Sequence, residues 1–333
     1  MKFVRIKNAG TGLVVDTRDG LATVEIRPSL GQLRLHDAAA VQAIESVLPA
    51  HGVESWNALI DRWHEVRGAF QALVDLVETN RDHGLTVRPF NPAALDPPLA
   101  SPTTHIFSLG SNTAVHIQRA FKAMKDLDLT LEDARRAKTE GLPPAGFTIW
   151  PDSVVGPTAT ITPPRGTLKL DYEAECAVYV GRGGRNLSSV NIWGFAAWND
   201  LGIRDLNLGL RKEGPWTPFS FNLVKNFDTG NACGPWVVVD EGHDITNLRC
   251  VLTVNGEVRQ DWNLSDMIYS FEESLRYISE YVTLRPGDML TSGTGAGVAI
   301  EGGSEGPNWP KPGDVVSITL DGAGTLTNVI GSW

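Results

Sequence analysis

Residues 168–181, LKLDYEAECAVYVG, constrain the fold more than any other stretch of the chain. Read with a period of two, the segment separates into two faces. Leu168, Leu170, Tyr172, Ala174, Cys176, Val178 and Val180 form an unbroken apolar stripe, the mark of a strand packed on a core. The opposite side carries Asp171, Glu173 and Glu175. Carboxylates at i and i+2 on one strand face repel each other. Two readings follow. Either the groups face water on an open antiparallel sheet, or their oxygens hold a divalent cation.

The second reading gains from Asp200, 25 residues past Glu175. Asp200 closes an apolar, aromatic run within NIWGFAAWNDLGIRDLN (191–207), so it stands where a strand mouth opens. Glu173, Glu175 and Asp200 together make a hard-oxygen site with open positions for water and substrate. Such a donor set suits Mg²⁺ or Mn²⁺, and Ca²⁺ with a looser fit. Zinc usually recruits His or Cys, and the cluster contains neither. Arg204 and Lys225 follow in sequence. Each could bind a substrate carboxylate or a polarised carbonyl oxygen, or sit in a surface salt bridge. Lys225 opens KNFDTGNACGPWVVV, ahead of a strand with a buried pattern, which favours the first role.

The bulk properties narrow the setting. With 42% hydrophobic and 20% charged residues, the composition is that of a globular protein. A net charge of −10 without a block of like charge argues against nucleic acid and against an anionic membrane surface as partners. Cys176, Cys233 and Cys250 show no CxxC spacing, so a reducing compartment is expected. The amino terminus, MKFVRIKNAG, lacks an apolar signal core, and no run is long enough to span a bilayer. The cytoplasm is the expected location.

Residues 1–36 read as short strands, Phe3–Ile6, Leu13–Asp16 and Leu21–Ile26, separated by glycine turns. Asp37 is the expected N-cap of a helix carrying Val41, Ile44 and Leu48 on one face, with Pro49 as its stop. A longer helix starts near Ser55, with Leu59, Trp63, Val66, Phe70, Leu73 and Val77 at amphipathic spacing, and Gly84 lies just beyond it. The proline-rich stretch 88–103 reads as a linker. It divides a small N-terminal α/β domain, residues 1–100, from a larger β-rich domain, residues 101–333. Short strands dominate the larger part. It carries two helices: Thr130–Glu140, opened by a Thr130/Asp133 capping pair, and Ser265–Tyr281, with Ile268, Phe271, Leu275 and Ile278 on one face. The expected class is α+β. Glycines 293, 295 and 297 follow a strand but precede no amphipathic helix, so a dinucleotide loop is excluded.

Five blocks occur in a recognisable order: LDYEAECAVYVG, WNDLGIRDLN, KNFDTGNACGPWVV, TLRPGDMLTSGTGAGVA and KPGDVVSITLDGAGTLTN. In that order they resemble the fumarylacetoacetate hydrolase family over roughly the carboxy-terminal two-thirds of the chain. The resemblance implies a mixed β-sandwich or roll as the catalytic domain, and a homodimer. It implies that Glu173, Glu175 and Asp200 are metal ligands and that Arg204 and Lys225 hold substrate oxygens. Thr294 matches a substrate-contacting threonine, and Gly295 replaces the usual proline, which makes the turn more flexible. SLGSNTAVHIQRA (108–120) resembles the segment that carries the catalytic histidine, with Asn112 and His116 in register and Thr113 in place of an aromatic. Members that cleave acylpyruvates place a Glu three residues after that histidine, where this chain has Arg119. An arginine there denies the imidazole a carboxylate at that position. A partner would have to come from elsewhere, with Asp126, Asp128, Glu301 and Glu305 as candidates; otherwise His116 is a helix-surface residue. Trp198, two positions before Asp200, shares that ligand's strand face and could wall the pocket, with Trp216 and Phe219 adding to it.

The implied chemistry is enolate chemistry at a divalent cation. The first hypothesis is a metal-dependent hydrolase that cleaves a C–C bond in an acylpyruvate or related β-diketo acid, with His116 activating water and Lys225 and Arg204 stabilising the developing charge. The second is a lyase, isomerase or decarboxylase acting on a 2-oxo acid through a metal-bound enolate. The third is a non-catalytic metal- and ligand-binding protein, disfavoured because the three carboxylates, Lys225 and Arg204 occur together.

Overall fold

A computed structural model describes residues 1–48, 55–79, 84–204, 218–302 and 308–333. The chain opens with strands β1 (Lys2–Ile6), β2 (Gly10–Thr17) and β3 (Gly20–Glu25), then helices α1 (Ile26–His36), α2 (Ala38–Val47), α3 (Asn57–Asp61) and α4 (Trp63–Thr79). Next come β4 (Val87–Pro89), β5 (Leu95–Asp96), β6 (Ile106–Leu109), α5 (Ala114–Lys125), α6 (Leu131–Thr139) and β7 (Gly146–Ile149). The short strands β8 (Val154–Val155), β9 (Thr160–Ile161) and β10 (Leu170–Asp171) lead into β11 (Ala174–Val180), β12 (Ile192–Asp200) and β13 (Gly202–Ile203). The remainder is α7 (Pro218–Lys225), β14 (Asn231–Val238), β15 (Arg249–Val254), β16 (Glu257–Asn263), α8 (Phe271–Tyr281), β17 (Met289–Thr291), β18 (Val315–Leu320) and β19 (Gly324–Ile330). The fold is α+β.

Two sheets organise these elements. The larger runs β4-β3-β2-β1-β14-β12-β11-β17-β6-β7, with β5 on β1 and β8 on β14. The smaller runs β16-β15-β18-β19-β9. The join between the amino-terminal meander and the rest is the antiparallel β1–β14 pair, Phe3 opposite Val237. Strands β11, β12 and β14 are therefore interior, and their side chains alternate between two cores. Cys176, Val178, Val180, Phe195 and Ala197 pack with residues of the smaller sheet such as Leu252 and Ile318. Ala177, Tyr179, Ala196, Trp198 and Val237 pack with α1–α4 residues such as Val41, Leu59 and Phe70. A strand covered on both faces reads as a continuous apolar run, and this explains why every residue of β11 is buried. Phe3 centres an aromatic cluster in the helical layer, 5.4 Å from both Phe70 and Trp193.

Several expectations change. Leu168 does not belong to the stripe; it is 76% exposed. The strand is interrupted at Tyr172–Glu173: β10 pairs with β13, and β11 begins only at Ala174. The carboxylate-bearing face does not open to water, because Asp171 and Glu175 are fully buried. Residues 26–36 are helical. Their inward residues are only Ile26, Ser29 and Leu33, a stripe too narrow and too polar to announce itself. Asp37 caps α2 as expected, accepting from the Ala40 amide at 2.8 Å, while Pro49 lies outside the described residues. The helix expected from Ser55 comes as two, interrupted at Arg62. The helix expected from Ser265 starts at Phe271, capped by Ser270 and Glu273, and residues 264–266 form a separate 3₁₀ turn. Helix α6 has its Thr130/Asp133 capping box. Helices α5 and α7 add to the two expected in this part of the chain.

Candidate active site

The break between β10 and β11 builds the site. The Asp171 carboxylate turns into the chain, accepting from the amides of Tyr172 at 3.0 Å and Ala299 at 2.6 Å. Glu173 is fixed through its backbone: its amide donates to Asn199 Oδ1 at 3.2 Å and its carbonyl accepts from the Asp200 amide at 3.0 Å. This places Glu173 against the end of β12, next to Asp200. Glu175, two residues on, faces Trp198 across the β11–β12 ladder. One oxygen each from Glu173, Glu175 and Asp200 then lies within 4.8 Å of the others, and all three residues are buried.

The remaining partners are cationic or fixed donors. Lys225 ends α7 and points its Nζ at Glu173 Oε2, 2.7 Å away, and at the Asp200 carbonyl, 3.1 Å away. Arg204 follows β13 and binds Asp171 Oδ2 through Nε at 2.9 Å and Glu173 Oε1 through an Nη. Ser108 on β6 donates to Asp200 Oδ2 at 3.2 Å. The Gly293 amide donates to Glu175 Oε2 at 3.0 Å. Gly293 has φ +71°, and a Cβ there would meet Asn112 Cβ at 2.9 Å and the Leu109 carbonyl at 3.0 Å, so only glycine brings that amide so close.

A divalent cation fits this arrangement on two observations. Glu175 Oε1 and Asp200 Oδ1 are buried and accept no hydrogen bond from the described residues, and Lys225 touches the latter as an ion-pair neighbour at 3.3 Å. A buried carboxylate oxygen left unpaired is costly. In addition, among the described residues the buried carboxylates of Asp171, Glu173, Glu175 and Asp200 are paired with two cations, the buried Lys225 and the partly buried Arg204. Two negative charges stay uncompensated, the charge that one divalent ion balances.

The proton affinities follow the same imbalance. Burial pushes Glu175 well above the usual carboxylate range, and the Asp200 and Glu173 charges push it further. Burial also lifts Asp200 to about 6, against the pull of Lys225. Glu173 suffers the same burial, yet Lys225 and Arg204 outweigh it and hold it down at about 2. Burial works against the Lys225 ammonium, but Asp200 and Glu173 overcome that and raise it, so it stays charged.

His116 lies on α5 and is buried, not displayed on a helix surface. Its Nδ1 sits 2.6 Å from Glu301 Oε1, so a carboxylate partner exists despite Arg119. Glu301 lies on a 3₁₀ turn, Ala299–Glu301, and its second oxygen accepts from the Gly297 amide at 2.6 Å. The same turn supplies the Ala299 amide to Asp171. The dyad and the acidic cluster are thus tied to one loop, and His116 is near enough for its charge to act on Glu173.

The threonine turn is a structural clamp in this chain. Thr294 Oγ1 donates to the Ala174 carbonyl at 3.0 Å and accepts from Gln260 Nε2 at 2.8 Å. Gln260 also accepts from the Ala174 amide at 2.9 Å and donates to the Gly295 carbonyl at 2.9 Å. Gly295 has a packing role: a Cβ at 295 would come within 2.2 Å of Trp262 Cγ, so the glycine makes room for that indole. Trp198 is fully buried in the helix-side core beside Glu175 and Cys233, and its Nε1 has no partner among the described residues. Phe219 is 70% exposed on α7, and Trp216 lies outside the described residues, as does Glu305. Sequence reading had no signal for Gln260 or Ser108, whose roles depend on strands distant in the chain.

Residues 105–331 match the family described as fumarylacetoacetate (FAA) hydrolase C-terminal. The chain belongs to the fumarylacetoacetate hydrolase family. An uncharacterized protein of Pyrococcus abyssi is 35% identical over 181 residues, 53% of this chain and 74% of the relative. A Mycobacterium tuberculosis protein is 35% identical over 202 residues, 58% of this chain and 70% of the relative. Among solved structures, the fold is shared with fumarylacetoacetate hydrolase of Exiguobacterium antarcticum (TM-score 0.68, 24% identity, 100% of both chains). It is shared as well with maleylpyruvate hydrolase of Sphingobium (0.67, 21%, 100% of both). A 2-hydroxyhepta-2,4-diene-1,7-dioate isomerase of Mycobacterium marinum also has it (0.56, 24%, covering 100% of this chain and 98% of that one). Proteins that share this fold thus include a hydrolase of each of two kinds and an isomerase. Among the described residues, no helix is long and apolar enough to cross a membrane.

Proposed function

We propose that this protein is a divalent-metal-dependent hydrolase that cleaves the C–C bond of an acylpyruvate or related β-diketo acid. The observation that carries this reading is the His116–Glu301 pair beside a buried, under-compensated carboxylate cluster. Glu173, Glu175 and Asp200 would hold Mg²⁺ or Mn²⁺. When bound, such an ion supplies a Lewis acid for the paired oxygens of the substrate.

The protein's own groups do the rest. Glu301 holds Nδ1–H of His116, which leaves the Nε2 lone pair to take a proton from water. The hydroxide adds to the acyl carbonyl carbon. The C–C bond then breaks, and its electron pair passes to the adjacent carbon as an enolate. Lys225 and Arg204, which both contact Glu173, would stabilise the charge that develops on the substrate oxygens. The imidazolium returns its proton to the enolate carbon, so that water and substrate give two carboxylic acids. Thr294 and Gln260 hold the loop behind Glu173 and Glu175, and Trp198 backs the ligands from the core.

An isomerase or decarboxylase would share the cluster and need no water-activating dyad. Purified protein incubated with acylpyruvates and oxaloacetate, with and without Mg²⁺, separates the readings through loss of enol absorbance and product identity. Two carboxylate products that require Mg²⁺ and disappear in His116→Ala support the hydrolase. Carbon dioxide release, a single isomeric product, or full activity in His116→Ala would overturn it.

A further inference from the structure

Two buried hydroxyls behind the carboxylate cluster have no part in the chemistry proposed above. Thr291 on β17 stands opposite Ser108 on β6 in their parallel ladder. They are 0% and 1% exposed. Their side-chain oxygens are 2.9 Å apart, and Ser108 Oγ donates to Asp200 Oδ2 at 3.2 Å. Thr291 also lies beside Glu175. The pair therefore spans Asp200 and Glu175, which come from two different strands.

A hydroxyl has one proton to give. Ser108 gives its proton to Asp200, so the 2.9 Å contact takes the proton of Thr291. Thr291 then orients Ser108, and Ser108 orients Asp200. Two buried hydroxyls could satisfy only each other; here one of them reaches a carboxylate, in a contact that the charge strengthens.

This contact sorts the oxygens of the cluster. On Asp200, Ser108 ties back Oδ2, while Oδ1 accepts no hydrogen bond from the described residues. On Glu175, the Gly293 amide ties back Oε2 at 3.0 Å, while Oε1 is left open in the same way. Each carboxylate thus offers one oxygen, and the second can reach an ion only by giving up its donor. Mg²⁺ demands a compact, near-octahedral set of single oxygens. Ca²⁺ takes more oxygens at longer distance, often both from one carboxylate. Oxygens held back in this way favour the smaller ion.

Resting on the reading that Glu173, Glu175 and Asp200 hold a divalent ion, we propose that Ser108 and Thr291 are positioning residues that tie back the rear oxygen of Asp200 and so raise the site's affinity for Mg²⁺ relative to Ca²⁺. Partners that orient a metal ligand act on affinity without touching the ion.

Calorimetric titration of the chelator-stripped protein with Mg²⁺ and with Ca²⁺ reads both dissociation constants without any turnover. Ser108→Ala should weaken Mg²⁺ by about tenfold or more, as loss of an orienting partner does. It should weaken Ca²⁺ less, so the ratio of the two affinities shifts toward Ca²⁺. Thr291→Val keeps the shape but not the hydroxyl, and should shift the ratio in the same direction. The double variant should lose less than the product of the two single losses, because Thr291 acts through Ser108. Thr291→Ser keeps the hydroxyl and should bind as the wild type does. Unchanged Mg²⁺ affinity in Ser108→Ala, or an equal loss for both ions, would overturn the proposal and leave the metal reading standing. Should Ser108→Ala fail to fold, Thr291→Val and Thr291→Ser decide the matter, and equal ratios in those two would overturn it. A wild type that binds neither ion would sink the metal reading and this proposal with it.

Discussion

Replacing Asp200 with Asn tests the charge argument directly. In the metal-free protein Asp200 is raised from its ordinary 3.8 to about 6. A carboxylate whose folded value is raised contributes stability below its unfolded value and loses it as pH climbs through the folded one. A shift of that size corresponds to about 3 kcal/mol. Asn cannot titrate, keeps the shape, and still accepts from Ser108. The stability gap between Asp200→Asn and wild type, both stripped with a chelator, should therefore widen in favour of the variant by about 3 kcal/mol between pH 4 and pH 7. For a chain of 333 residues, with an unfolding entropy of about 0.7 kcal/mol/K, that is roughly 4 °C in melting temperature. Glu173 does not blur the measurement. It is held at about 2, so its own contribution is complete above pH 4.5 and lost only in stronger acid.

Metal should invert the order. At a free concentration of one hundred times its Kd, a bound ion stabilises the wild type by about 2.7 kcal/mol, and Asp200→Asn, lacking a ligand, should gain almost none. Because the ion must displace protons from Asp200 and Glu175, its apparent affinity should fall steeply below about pH 6. Differential scanning fluorimetry of both proteins from pH 4 to pH 8, with chelator or with Mg²⁺, reads all of this. A gap that stays flat or narrows with rising pH, or equal stabilisation of both proteins by Mg²⁺, would refute the account of an under-compensated site.

Further outcomes follow from individual contacts. Glu301→Gln keeps a polar group beside His116 Nδ1 but removes the charge that supports an imidazolium; kcat should fall about 100-fold with little change in KM, measured by steady-state kinetics. Gln260→Ala orphans the Ala174 amide and frees Thr294, so denaturant unfolding should show a loss of about 1–3 kcal/mol together with weaker metal binding. Gly295→Ala should destabilise by about 1–3 kcal/mol through overlap with the Trp262 ring, and adding Trp262→Leu should recover most of the loss; no recovery would mean that the backbone at 295, not the indole, sets the requirement.

What the sequence disclosed and what it hid divide along a physical line. The three carboxylates were legible because Glu175 lies on β11, Glu173 stands immediately before that strand and Asp200 ends the neighbouring β12, so short-range spacing already brings them close. The strand-rich class and the caps at Asp37, Thr130 and Asp133 were legible for the same local reason. Interior strands hide their environment, however. Alternation across 168–175 looks the same whether the second face meets water or another layer, and only the helices α1–α4 and the loop around Gly293 decide that Glu175 is buried. Position 119 shows the same limit at the level of chemistry. An arginine at the usual acid position argued against a carboxylate for His116, yet the turn at Ala299–Glu301 delivers one from 185 residues away. The imidazole takes its carboxylate at Nδ1, not at a fixed sequence offset, and here a second loop delivers it. A substitution that looks like the loss of the histidine's carboxylate partner is then the relocation of that partner to another loop.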